Sequence, residues 1–254
     1  MSTILLTSGG TKVPIDMVRD ITNMSKGTFG AHIGRAILET WRHKLVFLHA
    51  KDSKTPFSLN ADFAEDNMLN IAEETVGLVK LWTEHGSAYS SRQFRNFDDY
   101  EATLFGSVAS FRPDVIVLAA AVSDYGVVNY VDGKIRSADS QDIQLAPLPK
   151  LIGSIRAAAP DAVLVGFKLL VNSDLGELVE AAHKSCLEND CDLVIANDLS
   201  DIKRGDHQLT VVRNQGGTPV FNRYFQSDNA DRMHLARCVV KEIDEEIKAK
   251  AEGK

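Results

Sequence analysis

The sequence lacks an excess of basic residues. Among its 254 residues, 28 Lys and Arg stand against 35 Asp and Glu, so the formal net charge is −7. A nucleic-acid-binding protein is expected to carry a basic patch or stripe, and this balance argues against that class. Anionic small molecules remain possible ligands, since a binding site needs only local positive charge.

Paired cysteines and long apolar runs are also missing. The three cysteines, Cys186, Cys191 and Cys238, have neither the spacing of a zinc site nor that of a disulfide framework. No apolar run approaches the roughly 20 residues of a membrane-spanning helix. The first residues lack the basic start and apolar core of a signal peptide. We therefore expect a soluble, cytoplasmic protein with no membrane or nucleic-acid partner.

Short apolar runs alternate with stretches of helical spacing along the chain. Strands are predicted at 4–6, 44–49, 114–121, 162–167 and 192–196. Helices are predicted at 32–41, 67–82, 98–111, 175–186 and from about 228 onward. This alternation predicts an α/β fold, with a Rossmann-like, mostly parallel sheet covered by helices on both faces. Cys186 falls in the apolar register of its helix, which predicts a core position.

Two segments interrupt this alternation. Residues 126–148 begin with a turn and continue through polar residues, which predicts a mobile flap. Residues 51–66 are predicted to form a loop. Residues 199–226 contain two period-two strands, 208–212 and 218–224, around a glycine turn, which predicts an antiparallel hairpin appendage and a possible oligomer contact. We found no repeats, so residues 1–254 are predicted to form a single domain.

Two small-residue loops lie near the start of the sequence. Thr7-Ser8-Gly9-Gly10-Thr11 follows the first strand, and Ser25-x-Gly27-x-x-Gly30 precedes the first helix. Such a loop offers backbone N–H groups and the positive end of a helix dipole to an anion. Arg19 and Asn23 lie between the loops and suit phosphate binding and amide hydrogen bonding, respectively. Glycines in tight turns, a surface arginine and a turn-forming asparagine are the structural alternatives.

Ligands of open α/β sheets bind beyond the carboxyl ends of the strands. Asp124 follows one strand and could hold a metal ion or a sugar hydroxyl, or simply cap a turn. Phe167 follows another and could stack on a base or belong to the core. Lys134 in the flap could reach a triphosphate when the flap closes, although a surface lysine is the plainer interpretation.

The combined motifs resemble those of the phosphopantothenoylcysteine synthetase family over nearly the whole sequence. They are Thr7-Ser8-Gly9-Gly10-Thr11, the run from Ile15 to Gly30, Ala120-Ala121-Val122-Ser123-Asp124-Tyr125, Lys134-Ile135, Gly166-Phe167 and Ala196-Asn197-Asp198. The run from Gly166 to Val171 is similar to the stand-alone bacterial members. In many bacteria the synthetase is fused to a flavin decarboxylase, and 254 residues leave no room for that half, so the resemblance implies a separate phosphopantothenoylcysteine decarboxylase in the pathway.

The resemblance implies a carbon–nitrogen ligase of coenzyme A biosynthesis. Members join 4′-phosphopantothenate to L-cysteine through an acyl-nucleotide, with CTP in bacteria and ATP in eukaryotes. The implied form is a homodimer that requires Mg²⁺.

The resemblance also implies residue roles. Asn23 would act on the acyl intermediate and Lys134 on the triphosphate. The implied nucleotide-binding residues are Gly10, Ser25, Gly27, Gly30, Ala120, Asp124, Phe167 and Lys184. The implied phosphopantothenate-binding residues are Arg19, Asn23 and Ala121, with Arg19 acting across the dimer interface. The metal ligands stay open, with Asp124 as a candidate.

The sequence departs from the family pattern around the nucleotide. Lys26 replaces a small hydroxyl residue, Glu188 replaces a lysine, and only the first lysine of a lysine-rich run remains at 134–137. Residues 148–151 replace an Asn-Pro-Asp-Ile run. CTP preference is therefore the expectation that these departures affect most.

Two other functions are compatible with parts of the sequence. A nicotinamide-dependent oxidoreductase would need a dinucleotide fingerprint after the first strand, which Thr7 to Thr11 does not provide. Tyr130-x-x-x-Lys134 has the spacing of a short-chain dehydrogenase pair but lies in a β-branched, turn-ended segment. A non-catalytic nucleotide-binding subunit would have no need of both Asn23 and Lys134.

Overall fold

A computed structural model describes residues 1–40, 42–59, 68–137, 142–227 and 231–253 of the chain. The strands in these residues are β1 (Ser2–Ser8), β2 (Lys12–Pro14), β3 (Asp20–Thr22), β4 (His43–Ala50), β5 (Tyr89–Phe94), β6 (Val115–Leu118), β7 (Tyr125–Val127), β8 (Leu145–Pro147), β9 (Val163–Leu170), β10 (Leu193–Asp198), β11 (His207–Gln215) and β12 (Thr218–Ser227). The helices are α1 (Thr28–Glu39), α2 (Met68–His85), α3 (Phe97–Phe111), α4 (Ile152–Ala158), α5 (Leu175–Glu188), α6 (Leu199–Arg204) and α7 (Arg232–Ala251).

Eight of the strands form one central sheet in the order β12-β11-β10-β9-β6-β1-β4-β5. All neighbouring pairs from β10 to β5 are parallel, whereas β11 is antiparallel to both β10 and β12. Two small antiparallel pairs, β2–β3 and β7–β8, lie outside this sheet. The predicted fold class is thereby confirmed.

Alternate residues of each strand point to opposite faces of the sheet, and both faces are buried against helices. Ile4 and Leu6 of β1 belong to one apolar cluster, which includes residues of α1 and α7. Leu5 belongs to the other cluster, which includes residues of α3, α4 and α5. Cys186 on α5 is fully buried in this second cluster, as its helical register predicted.

The predicted hairpin joins the central sheet instead of standing apart from it. Residues 199–204 form α6, and β11 and β12 are longer than the predicted strands. Gly216 and Gly217 turn the chain with φ of 60° and 87°, values that glycine adopts without strain. Because β11 pairs with β10, the hairpin extends the sheet and leaves β12 at its edge.

Several boundaries differ from the predictions. Helix α1 begins at Thr28, four residues before the predicted start, and β5, α4 and the short strands β2, β3, β7 and β8 were not predicted. The last helix begins at Arg232. Trp41, Asn67, Asp228 and parts of the predicted loop (60–66) and flap (138–141) lie outside the described residues. In the described part of the chain, no helix has the length and apolar character needed to cross a membrane.

Candidate active site

The first wall of the candidate site is formed where β1 meets the start of α1. Gly9 and Gly27 both have positive φ, 85° and 70°. A Cβ on Gly27 would lie 3.1 Å from the backbone nitrogen of Gly9, and one on Gly30 would lie 2.3 Å from Ser8 Oγ. Ser8 Oγ donates a hydrogen bond to the Gly27 carbonyl at 3.1 Å. These glycines therefore let the end of β1 and the start of α1 approach closely.

The first turn of α1 carries no acidic residue, and its N-cap residue Gly27 supplies no side-chain hydrogen bond to the helix. The first three N–H groups of a helix have no acceptor within the helix and carry its partial positive charge. Thr28 and Phe29 in this turn are half-buried. This helix end therefore suits an anion such as a phosphate group.

Asn23 is joined to the loop that follows β6. Its Nδ2 donates to the Ala121 carbonyl oxygen at 2.8 Å, and Thr11 N donates to the same oxygen at 3.2 Å. Ala121 N donates to the Gly9 carbonyl at 2.7 Å, and Gly10 forms a parallel bridge with Ala121. The exposed Asn23 amide keeps a second N–H and its oxygen for a ligand. The structure thus brings together Asn23, Gly10 and Ala121, which lie far apart in sequence.

Ala120, Phe167 and Ser25 lie around this junction. Ala120 N donates to Thr7 Oγ1 at 3.1 Å at the end of β6. The rings of Phe167 on β9 and Phe29 on α1 meet edge to face, with 6.3 Å between their centroids. Ser25 Oγ accepts a hydrogen bond from Gly27 N at 3.4 Å. An aromatic pair beside a helix N-terminus can contact a base while the helix binds phosphate.

Arg19 and Lys134 are brought to one place by the carboxylate of Asp16. The Arg19 guanidinium donates to Asp16 Oδ2 at 2.7 Å and to the Ile135 carbonyl at 3.3 Å. The backbone nitrogen of Ile135 donates to the same Asp16 oxygen at 3.0 Å. The Lys134 side chain is exposed. The backbone directly after Lys134 is therefore joined to Arg19, the residue expected on the substrate phosphate.

Asp16 is ionised in this setting. Burial alone would raise its pKa, but hydrogen bonds from the backbone N–H groups of Ile135, Val18 and Arg19, together with the Arg19 charge, lower the pKa to about 2. A full negative charge is therefore present to hold Arg19.

Two predicted residues have partners that the sequence did not indicate. Asp124 Oδ1 accepts a hydrogen bond from Lys150 Nζ at 2.7 Å, and both side chains are largely exposed. Lys184 lies on α5 with an ion pair to Glu188 at 3.8 Å. Lys184 is 73% exposed, and nothing in the described residues joins it to Asn23 or Asp124. Lys184 therefore stays a predicted nucleotide-binding residue with no contact to these two residues in the described part of the chain.

Three residues around the site had no predicted role: Asp16, Phe29 and Lys150. Asp16 could have been found as an aspartate that accepts N–H bonds two and three residues ahead, a local turn pattern. Phe29 lies between the site glycines, but nothing in the sequence pairs it with Phe167. In the described residues, no group of three or more His, Cys, Asp and Glu side chains could hold a metal ion.

A comparison of the sequence with protein families identifies the chain at family level. The family described as DNA/pantothenate metabolism flavoprotein (DFP) C-terminal domain matches residues 1–55 and 103–246. The chain belongs to this family. Every candidate residue lies in the matched part of this DFP domain, whereas α2 and β5 lie outside it.

Curated relatives agree with this assignment. The bifunctional coenzyme A biosynthesis protein CoaBC of Thermococcus kodakarensis is 31% identical over 209 residues, which are 82% of this chain and 44% of that protein. The DFP chain thus spans less than half of that relative. A phosphopantothenate–cysteine ligase of Mus musculus is 27% identical over 230 residues, covering 79% of this chain and 73% of the mouse protein.

The fold agrees as well. The crystal structure of the DNA/pantothenate metabolism flavoprotein from Streptococcus pneumoniae matches with a TM-score of 0.71 and 25% identity, covering 96% of this chain and 99% of that one. The resemblance drawn from the sequence motifs is therefore confirmed for the family.

Proposed function

We propose that this DFP domain is a phosphopantothenate–cysteine ligase of coenzyme A biosynthesis. A carboxylate oxygen of 4′-phosphopantothenate attacks the α-phosphorus of CTP, and the bond to the bridging oxygen breaks as pyrophosphate leaves. The amine of L-cysteine then attacks the acyl carbon and loses a proton, CMP leaves, and an amide forms. The Asn23–Ala121 hydrogen bond beside the open N-terminus of α1 is the observation that carries this proposal.

The nucleotide and the phosphopantothenate phosphate each have a surface that suits their chemistry. The first turn of α1, at Gly27 and Gly30, suits the nucleotide phosphates, and Phe167 suits the base. Lys134 and Arg19 supply positive charge on the flap side, where the triphosphate and the phosphopantothenate phosphate would lie. Asn23 would position the acyl-nucleotide, because preorganised donors stabilise charge that develops during acyl transfer.

Mg²⁺ would arrive with the triphosphate. Magnesium sites of nucleotide-dependent enzymes commonly combine one or two carboxylates with substrate phosphates and water. Asp124 is the carboxylate we assign to this role. Its ion pair with Lys150 is exposed on both sides, and such pairs contribute at most about 1 kcal/mol, so a bound ion can replace the lysine. When bound, the ion would neutralise charge on the phosphates.

The decisive experiment is a pyrophosphate-release assay. The protein is incubated with 4′-phosphopantothenate, L-cysteine, Mg²⁺ and either CTP or ATP. We expect release that requires phosphopantothenate, with a higher kcat/KM for CTP. A kcat/KM for ATP that equals or exceeds that for CTP would contradict the nucleotide preference alone. CTP binding without any pyrophosphate release would contradict the ligase and favour a non-catalytic subunit.

We infer a homodimer in which a second copy of the chain covers the flap side of the site. Exposed apolar residues concentrate there, on the loop around β2–β3 and on the flap: Met17, Val18, Met24, Val128, Tyr130, Ile143 and Leu145. Association would bury this apolar surface beside Arg19, in keeping with a site shared between subunits. The product of the ligase would be the substrate of a phosphopantothenoylcysteine decarboxylase.

Three matched variants test this interface by sedimentation at micromolar concentration. Val128→Asp, at a residue 62% exposed on the flap side, should shift the dimer toward monomer. Val76→Asp, at a residue 69% exposed on α2, should leave the dimer intact. If Phe221→Asp on β12 dissociates the dimer and Val128→Asp does not, the interface is the edge hairpin. A fully active wild-type monomer would refute the dimer itself.

A further inference from the structure

The base of the flap, residues 131–135, is joined to the 15–19 loop by backbone hydrogen bonds. Val131 N donates to the Ile15 carbonyl at 3.1 Å, and Met17 N donates to the Gly133 carbonyl at 3.0 Å. On the other side of Lys134, Ile135 N donates to Asp16 Oδ2 at 3.0 Å. The backbone of Lys134 is therefore held from both directions while its side chain reaches solvent.

Asp16 contributes the side-chain part of this connection, and its side chain has no exposed surface. Its two oxygens have different partners. Oδ1 accepts from the backbone N–H groups of Val18 at 2.8 Å and Arg19 at 2.7 Å, which closes a local turn. Oδ2 accepts from the Arg19 guanidinium and from Ile135 N, which joins the loop to the flap. One carboxylate thus makes a turn with one oxygen and a long-range connection with the other.

We propose that Asp16 is a positioning residue that sets Lys134 and Arg19 in a fixed relation to each other. It contacts none of the three substrates of the proposed reaction and acts through those two residues. The catalytic part of the inference rests on the proposed ligase function, in which the lysine acts on the triphosphate and the arginine on a phosphopantothenate phosphate across the dimer interface. The structural part, the connection between the loop and the flap base, does not depend on that function.

The division between the two oxygens makes Asp16→Asn a selective test. Asparagine offers one acceptor oxygen and one donor NH₂ group in the same shape. The N–H groups of Val18 and Arg19 belong to the turn itself and cannot move away, so the amide oxygen is expected to face them. The NH₂ group would then meet the two donors on the flap side, the Arg19 guanidinium and Ile135 N–H. Asp16→Asn should therefore keep the turn and release the flap base.

Trypsin measures this release independently of catalysis, because the bond after Lys134 lies within the fastened segment. Opening of a segment governs its cleavage, and a hydrogen bond to a charged group is worth a factor on the order of 10 to 100 in that equilibrium. We expect cleavage after Lys134, followed by mass spectrometry, to be faster by that factor in Asp16→Asn. The matched control is Asp174→Asn, where a helix-capping carboxylate that also accepts a backbone N–H lies elsewhere. Equal cleavage of Asp16→Asn and the wild-type protein would overturn the connection.

Kinetics test the positioning role. In the ligase assay we expect Asp16→Asn to lower pyrophosphate release and to raise KM for phosphopantothenate, while KM for cysteine is unchanged. A variant that is only partly folded would show a lower kcat because fewer molecules are active, while KM would be unchanged for both phosphopantothenate and cysteine. Faster cleavage with unchanged kinetic constants would overturn the positioning role. If the wild-type protein shows no ligase activity, the proposed function fails, and the trypsin result still decides the connection.

Discussion

The replacement of Asn23 by aspartate separates the two chemical steps of the proposed reaction. In the structure Asn23 Nδ2 lies 2.8 Å from the Ala121 carbonyl oxygen. A carboxylate oxygen at that position would face another oxygen without a proton between them, so the side chain would rotate away from Ala121. The same change places a negative charge beside an anionic acyl-nucleotide. Both effects act on the intermediate that cysteine attacks.

The size of the effect follows from the loss of one positioned donor. Such a loss costs on the order of 3 kcal/mol of transition-state stabilisation, or about 10²-fold in rate. Asn23 is exposed, so the change should leave the free energy of unfolding within roughly 1 kcal/mol of wild type. We therefore expect a folded protein whose amide-forming step is slowed about 10²-fold.

The assay follows pyrophosphate and the acyl-nucleotide with and without cysteine. Asn23→Asp should release pyrophosphate once per site without cysteine and retain the acyl-nucleotide. Lys134→Gln should make little of either, because this lysine is assigned to the attack on the α-phosphate. Lys80→Gln, a change of an exposed lysine on α2, should behave as wild type. Wild-type turnover by Asn23→Asp, or accumulation of the intermediate by Lys134→Gln, would refute the assigned roles.

Two further predictions concern stability, and both are read from urea unfolding. Gly30→Ala should destabilise by about 1–3 kcal/mol, because its Cβ would lie 2.3 Å from Ser8 Oγ, whereas Gly77→Ala on α2 has open space and should stabilise by up to about 1 kcal/mol. Burial, with the charges of Arg35 and Arg232, lowers the pKa of His32 to about 4 from the usual 6.5, so the unfolded chain binds more protons between these values. Stability should thus fall as pH drops from about 6.5 to 4, by about 2 kcal/mol at pH 5, and His32→Gln should lose this dependence. Equal destabilisation by the two alanines, or an unchanged acid dependence in His32→Gln, would contradict the respective argument.

The central strands could be predicted because their signal is local. Val115 to Leu118 and Leu193 to Ala196 are continuous apolar runs, which is how strands buried on both faces appear in a sequence. The edge strand β5 has no such run, because most of its residues are exposed and only Phe94 is buried. Its strand conformation comes from pairing with β4, a long-range contact that the local sequence does not encode.

The pairing of the hairpin and the start of α1 are two further points at which the structure differs from the sequence prediction. Alternating residues correctly predict the strands at 208–212 and 218–224, but the period-two pattern carries no information about which strand they pair with. Helix α1 starts at Thr28 because Gly27, in a left-handed conformation, leads into it. The sequence predicts a loop at Gly27 and Gly30 before the helix, whereas Gly30 lies inside its first turn.

The sequence predicts a set of residues for the candidate site, but it cannot predict the contacts between them. Gly10, Asn23 and Ala121 meet through hydrogen bonds between segments about 100 residues apart in sequence. The partner of Asp124 shows the same limit: Lys150 appeared in the sequence only as a departure from the family pattern. In the structure Lys150 contacts Asp124, a residue predicted to bind the nucleotide.

Backbone hydrogen bonds hold much of the site together, and this bears on how the chain can tolerate its departures from the family pattern. The junction at Gly9, Thr11 and Ala121 is made by backbone groups, and the flap base is held by backbone groups and one buried carboxylate. Backbone contacts survive most side-chain replacements, so the frame of the site does not depend on Lys26 or Lys150. In the proposed reaction, changes at those exposed positions would alter the charge that a nucleotide meets without moving Asn23 or the N-terminus of α1. We therefore expect the geometry of the reaction and the choice of nucleotide to be set by different residues, so that the second can change while the first is kept.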